Sequence, residues 1–542
     1  MSADREEVVN RLSSCCEDAY GLAVRSTKGG FAWVKGRVAW LPVATLAHMP
    51  SLPRMTLDDV HERRWELLAL TSIGAFMSPL DTSILSVAYP TMSPALHLSF
   101  SAALWVQAAY LVVMAVLLIP LGRMADHYGR VRFYLLGIAV FTVGSLLAAL
   151  SMNAAWMIGS RATQGVGGAL LSATSAAIVT AAFPPRERGR ALGVNVMAVY
   201  LGLSLGPPLG GLLVEVLGWR WVFLVNLPVG VVSLVWGWLL LPRAQRSEHG
   251  ETHPDVAGAI SWAVCLLCLI VPLTFASHWG WESTRTIVSL LVSAAALVVF
   301  VWTESRARSP LLHLDLLRRN RLFAAANAAA LLNYVAIGAI GVLTAIFLEV
   351  AQGRSAGVVG WLLLSQPALM AVLSPLSGRL SDSVGSRWLT SSGMAVIAIG
   401  MSALAMLEPE SGMAHVIAAL AIVGLGMAAF SAPNSSAVMG SVAREQLSLA
   451  SGFLGTMRVT GMALSFAVLG AVAGSQLGHE GGRLIFSGES GTSSLAGGAI
   501  AAYALGYRYA MACGAVLAVV GAAVSLTRGP RVDDADTTRA GA

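Results

Sequence analysis

Fourteen times along its length the chain runs apolar for about 20 residues, the length a helix needs to cross bilayer hydrocarbon at a rise of about 1.5 Å per residue. The runs fall at 66–90, 101–121, 133–152, 156–183, 190–214, 219–241, 256–277, 286–303, 322–349, 355–377, 388–407, 414–440, 446–475 and 498–527. Inside hydrocarbon each backbone polar group must be satisfied within its own segment, so such runs fold as helices. A chain of 542 residues that is 56% hydrophobic and 12% charged, with mean hydropathy +0.70, fits no water-soluble globule. The expected fold is an all-α polytopic membrane protein with 14 transmembrane helices.

An even number of crossings puts both ends on one side, and arginine decides which. The short loops sharing a side with the termini carry sixteen arginines, Arg123, Arg130 and Arg132 among them, while the opposite loops hold four: Arg220, Arg285, Arg354 and Arg483. The positive-inside rule then makes both termini cytoplasmic, in the cytoplasmic membrane of the cell. Residues 1–65 contain no span and form a cytoplasmic extension. Two readings of 1–54 stand side by side, a functional tail or an extension upstream of a translation start at Met55.

A repeat organises the spans. After the second comes Gly122-Arg123-Met124-Ala125-Asp126-His127-Tyr128-Gly129-Arg130, and after the tenth Gly378-Arg379-Leu380-Ser381-Asp382-Ser383-Val384-Gly385-Ser386-Arg387, both G-R-x-x-D-x-x-G. The implied halves are 66–241 and 322–527, each of six helices, with 242–321 a linker holding two inserted helices and 528–542 a tail. Two inserted crossings leave the halves in the same orientation, as a parallel repeat requires. The repeated segment reads as a loop. Glycine permits a tight turn, Asp126 can accept hydrogen bonds at a helix N-terminus, and Arg130 can pair with an acid on a neighbouring helix. Such a clasp would hold the halves together in one state and release them in another; a plain topology anchor explains the arginines alone.

In the fifth span, Gly202, Gly206 and Gly210 fall on one helical face, beside Gly211, and let another backbone pack closely. Pro207 and Pro208 remove donors from the same stretch and are expected to kink it.

These segments, with Arg161-Ala162-Thr163-Gln164-Gly165-Val166-Gly167-Gly168, resemble signatures of the major facilitator superfamily, and the number of spans resembles its fourteen-helix drug:proton antiporter branch. Leu80-Asp81-Thr82-Ser83 through Pro90 is similar to that branch's first-helix signature, and Trp219-Arg220-Trp221-Val222-Phe223-Leu224-Val225-Asn226-Leu227-Pro228 to its sixth-helix one. The resemblance covers about 66–527. It implies two six-helix halves, a parallel pseudo-repeat with inverted three-helix repeats inside each, plus two inserted helices. It also implies alternating access, an antiporter role for the glycine-proline helix, and an association of the arginine at 161 with proton transfer. Ser83 and Ser386 depart from the branch's pattern.

Charges within the membrane are costly and mark function. Asp81 lies about fifteen residues into its span, near mid-bilayer, where desolvation penalises the ionised carboxylate and makes it a proton-carrier candidate. Satisfaction by Thr82 or Ser83 hydroxyls is the structural alternative. Arg161 shares a face with Gln164, Gly165 and Gly168 and can tune such an acid; snorkelling to the interface is its alternative. Arg458 reads as the one arginine well inside a span of the second half, with a substrate, proton or packing role. Gln107, Tyr110, Gln164, Asn333, Tyr334, Gln366 and Asn434 are polar candidates for lining a path, whereas Trp105 and Trp361 read as interfacial anchors.

Every histidine falls in a loop, a tail or a span edge and no G-x-x-x-x-G-K-[ST] phosphate loop occurs, so neither metal, cofactor nor nucleotide hydrolysis is expected. The partners expected are small-molecule substrates, protons and the lipid bilayer, with no nucleic acid. Proton-coupled export of small amphiphiles is the reading that results. A facilitator or importer of one solute, and a non-transporting membrane sensor, remain as alternatives; catalytic groups are too scattered for an enzyme.

Overall fold

The computed structural model describes residues 63–184, 187–240, 255–280, 282–307, 314–442, 446–477, 481–482, 484–486 and 494–528. The expected 1–54 extension and most of the 528–542 tail lie outside the described residues. Regular structure among the described residues is helical throughout, and 14 helices are long and apolar enough to cross a membrane. They are α1 (Arg64–Val87), α2 (Phe100–Tyr128), α3 (Arg130–Ala149), α4 (Ala154–Ala182), α5 (Arg188–Val216), α6 (Trp221–Leu239), α7 (Ala257–Phe275), α8 (Thr284–Arg306), α9 (Arg321–Ala351), α10 (Ala356–Ser381), α11 (Ser386–Ala405), α12 (Met413–Gly440), α13 (Leu449–Gly474) and α14 (Gly497–Leu526). Two six-helix halves, α1–α6 and α9–α14, flank the inserted pair α7–α8.

Local chemistry starts several of these helices. Ser99 Oγ accepts from Ala102 N at 3.3 Å before α2, Asn153 Oδ1 from Trp156 N at 2.9 Å before α4, and Asn320 Oδ1 from Phe323 N at 2.9 Å before α9. Each supplies a partner to an orphan amide of the first turn.

The repeated G-R-x-x-D segments are not loops. The second helix continues to Tyr128, and the helix of α10 runs on past the span's end at Ser381 to Val384, so Gly122, Arg123 and Asp126, like Gly378, Arg379 and Asp382, occupy final helical turns. A glycine inside a helix costs only about 1 kcal/mol, so Gly122 and Gly378 do not end it. In each repeated segment the helix ends at the last glycine, Gly129 with φ +111° and Gly385 with φ +89°, a backbone region closed to most side chains.

Helix α5 runs unbroken through Pro207 and Pro208. Its glycines serve two neighbours where the sequence suggested one. A Cβ on Gly202 would stand 2.5 Å from Phe76 O and one on Gly210 2.5 Å from Ile84 O, while Gly206 faces Ser83 and Ile84, all on α1. Gly211 instead meets the Ala356 carbonyl of α10, and Gly360 of α10 meets that of Pro207. The halves therefore touch backbone to backbone at the end of the bundle away from the Gly129 and Gly385 turns. Leu104 covers Gly470 and Phe100 covers Gly474 at that same end. Toward the turns, Gly189, Gly193 and Gly378 have no atom within 4 Å of a Cβ position.

The inserted pair lies along the seam between the halves, with α7 packed on both α2 and α13. Trp262 Nε1 donates to Ala115 O at 3.4 Å. Trp105, expected at an interface, is buried and stacks on Phe275 with ring centroids 5.7 Å apart, because α7 covers the face that would otherwise meet lipid. Trp361 is exposed.

Gly206→Val forces a branched side chain into Ser83 and Ile84 and is expected to cost about 1–3 kcal/mol. Gly378→Ala meets open space and is expected to leave the unfolding midpoint unchanged or raised. Thermal denaturation of the two purified variants makes the comparison.

Candidate functional site

Asp81 and Arg161, 80 residues apart in sequence, form a buried ion pair in which neither side chain has any solvent exposure. Helix α1 brings the acid and α4 the base. The approach depends on glycines in α4: Gly165 lies against the Tyr110 backbone, where a Cβ would be 2.6 Å from its carbonyl, and Gly168 faces the Tyr110 hydroxyl.

Every member of the pair has further partners. Arg161 Nη1 donates to Asp81 Oδ2 and, at 2.6 Å, to Gln164 Oε1; Nε donates to Val106 O at 3.1 Å and Nη2 to Gln107 Oε1 at 3.2 Å. Asp81 Oδ1 accepts from Gln164 Nε2 at 3.1 Å and from Asn226 Nδ2 at 2.9 Å. Gln164 Nε2 also donates to Ser145 Oγ at 2.7 Å, which adds α3. The guanidinium carbon sits 4.8 Å from the Tyr110 ring centroid and 5.9 Å from that of Phe223, a cation enclosed by π faces. Tyr110 OH shares a 2.6 Å hydrogen bond with Ser78 Oγ. Five helices of the first half, α1, α2, α3, α4 and α6, thus converge on one carboxylate.

Of the residues singled out from sequence, Asp81, Arg161, Gln164, Gln107 and Tyr110 come together here. Thr82 and Ser83 do not satisfy Asp81: Thr82 Oγ1 donates to Pro79 O at 2.9 Å, and Ser83 Oγ to Leu80 O and Gly202 O at 3.2 Å. Sequence reasoning passed over Asn226 and Ser145. The amide of Asn226 stands alone in an apolar sixth span, the same signal by which Gln107 and Gln164 were noticed.

The other candidates are dispersed. Asp126 and Arg130 pair with each other at 2.6 Å, since four residues' separation across the turn sets them side by side, rather than reaching a helix N-terminus or an acid elsewhere. Arg123 has Glu304 of α8, Asp255 just before α7 and Asp126 as electrostatic neighbours. Arg379 is exposed, and Arg387 lies 5.6 Å over the Trp388 ring. The side chain of Asp382 is outside the described residues.

Asn333 donates to Met427 Sδ at 3.4 Å, and Gln366 lends its backbone to the close approach of Gly424. Asn434 accepts from Arg528, a residue assigned to the tail by sequence that is in fact 2% exposed. Arg458 sits 5.4 Å over Tyr334. It is not the only arginine within a second-half helix: Arg508 lies in α14, where its Nε donates to Ala405 O at 3.1 Å.

The model for the Major Facilitator Superfamily matches residues 71–327 and again 326–541, one match for each half. The chain belongs to the major facilitator superfamily. It is 35% identical over 418 residues to Multidrug resistance protein Stp of Mycobacterium tuberculosis (strain CDC 1551 / Oshkosh), covering 76% of this chain and 77% of that one. Identity is 31% to Riboflavin transporter RibZ of Clostridioides difficile (strain 630), over 75% of this chain and 87% of the relative. It is again 31% to the Tetracenomycin C resistance and export protein of Streptomyces glaucescens, over 80% and 79%. Among solved structures, a bacterial homologue of the human lysosomal transporter Spinster, inward-facing and unoccupied, superposes with a TM-score of 0.62 at 17% identity, over 85% of this chain and 96% of that one, a likeness of fold. The protein is accordingly a multi-pass membrane transporter of this superfamily.

Removing one partner of a buried pair strands the other charge. Arg161→Leu is expected to lose about 3–5 kcal/mol of stability. Asp81→Asn combined with Arg161→Leu should lose less than that single change, and a double-mutant cycle of unfolding midpoints measures the difference.

Proposed function

We propose that the transporter exports small amphiphilic molecules across the cytoplasmic membrane in exchange for protons, with both termini in the cytoplasm. The observation that carries the reading is the Asp81–Arg161 pair, buried from bulk solvent and held by Gln164, Asn226 and Gln107. While paired, the two charges are mutually neutral. A proton delivered to Asp81 leaves the Arg161 guanidinium buried and uncompensated, a state costing several kcal/mol. Relief comes from a rearrangement of α1 against α4 and α6 that rehydrates the arginine, so proton binding favours a second conformation. Asp81 is the proton carrier and Arg161 its modulator.

The path from that carboxylate to the second half is short. Two residues beyond Asp81, Ser83 bonds Gly202 O on α5, and the same helix contacts α10 through Gly211 and Pro207. Movement of α1 is therefore transmitted through the glycine-proline stretch to the contact between the halves. That backbone contact lies at the end of the bundle opposite the Gly129 and Gly385 turns, and the turns are assigned to the cytoplasm by the arginine asymmetry. The segments Gly122–Arg130 and Gly378–Arg387 act as the clasp when the halves rock the other way. Names of the relatives, a multidrug resistance protein and an antibiotic exporter, agree with export of small molecules.

Inside-out vesicles bearing a pH gradient, challenged with a panel of dyes and antibiotics, test this. Native protein is expected to discharge the gradient when a substrate is added, and Asp81→Asn to abolish the discharge. Undiminished gradient-driven uptake by Asp81→Asn would sink the proposal, and uptake equally fast without a gradient would identify a facilitator.

A further inference from the structure

Charge at the centre of the molecule is exposed unequally. The negative charge of Asp81 is enclosed and matched by Arg161. The second charge is Arg458, about 14 Å along α13 at a rise of about 1.5 Å per residue, half-buried, and in no ion pair among the described residues. Its Nε is buried without a hydrogen-bond partner.

Its place is built by the backbone. Gly461, one turn further on, lets α13 approach α9, where a Cβ would stand 2.8 Å from both Leu331 O and Tyr334 Cβ; Gly338 does the same in return against Met462. That approach sets the guanidinium 5.4 Å over the Tyr334 ring. From the other half, Tyr200 is an electrostatic neighbour of both Arg458 and Tyr334, and its hydroxyl shares a 3.2 Å hydrogen bond with Ser431 Oγ of α12. A planar cation stacked on one phenol thus has a second phenol, from the other half, in its electrostatic neighbourhood, where Tyr200 reaches across to Ser431.

Stacked on Tyr334 and hydrogen-bonded to that phenol, the Arg458 guanidinium still has its Nε donor unpartnered, and its planar fork suits a carboxylate or phenolate. In a low-dielectric surrounding the unmatched positive charge is costly, an anion removes that cost, and a cation adds like-charge repulsion. We propose that the transported molecule is a planar aromatic anion, a carboxylate or phenolate, gripped by Arg458 between Tyr334 and Tyr200, and that cationic amphiphiles are rejected. This deepens the export reading above and rests on it. An anion leaving as a proton enters moves positive charge inward in both legs, so the membrane potential assists each.

The test uses fluorescein and rhodamine 6G, an anionic and a cationic dye sharing one ring system, bound to the purified full chain in nanodiscs without any gradient. Fluorescein is expected to bind, with rhodamine 6G about tenfold weaker or worse; Arg458→Gln should weaken fluorescein by about tenfold or more, the loss of a charged hydrogen bond, and Arg458→Lys should restore part of it. No fluorescein binding by the native chain, rhodamine 6G binding as tightly, or an unchanged affinity in Arg458→Gln overturns the proposal. Should Arg458→Gln elute as an aggregate, the native dye comparison and Arg458→Lys decide alone. Because no gradient is present, a failure here leaves proton coupling standing, and a failure of coupling leaves this result standing.

Discussion

The first half is organised around an ion pair that water does not reach. Burying a carboxylate and a guanidinium costs several kcal/mol per ion, and their attraction offsets this only when the remaining donors and acceptors are filled. Here they are filled by side chains from α2, α4 and α6 and by the Val106 carbonyl. The consequence is structural as well as electrical: α1 and α4 cannot separate, rotate or slip a turn without exposing unmet charge. The helices that meet at the pair are thereby tied to one another through a single carboxylate and its partners.

Small residues make that arrangement geometrically possible. Gly165 and Gly168 let α4 lie against Tyr110, and Gly202, Gly206 and Gly210 let α5 lie against α1. In a bilayer, where lipid tails are as apolar as leucine, close backbone approach and polar contacts are what hold helices together. The glycines are thus part of the same device as the ion pair, since they set the distances at which its hydrogen bonds close.

The sequence made the spans legible because a helix in hydrocarbon must satisfy itself, so apolar length alone predicts it. It also exposed Asp81 and Arg161 separately, one by its depth and the other by its glycine-lined face. Their pairing was not legible, because contact between residues 80 apart depends on packing that periodicity does not encode. Asn226 escaped notice for the same reason: nothing local says that it points at Asp81. The G-R-x-x-D segments read as loops because glycine suggests a bend, whereas of their glycines Gly129 and Gly385 alone adopt a backbone that ends a helix. Arg528 was assigned to the tail because nothing in the sequence shows that Asn434 would draw it inward.

The inserted helices occupy a mechanically awkward place. Helix α7 rests on α2 and on α13, one from each half, and its Phe275 is stacked between Trp105 and Trp279. A rod that bears on both halves limits how far either can shift without breaking one of its two contacts. The aromatic column fastens the rod to α2 while its other side rests on α13, so the inserted pair ties one half to the other along the seam.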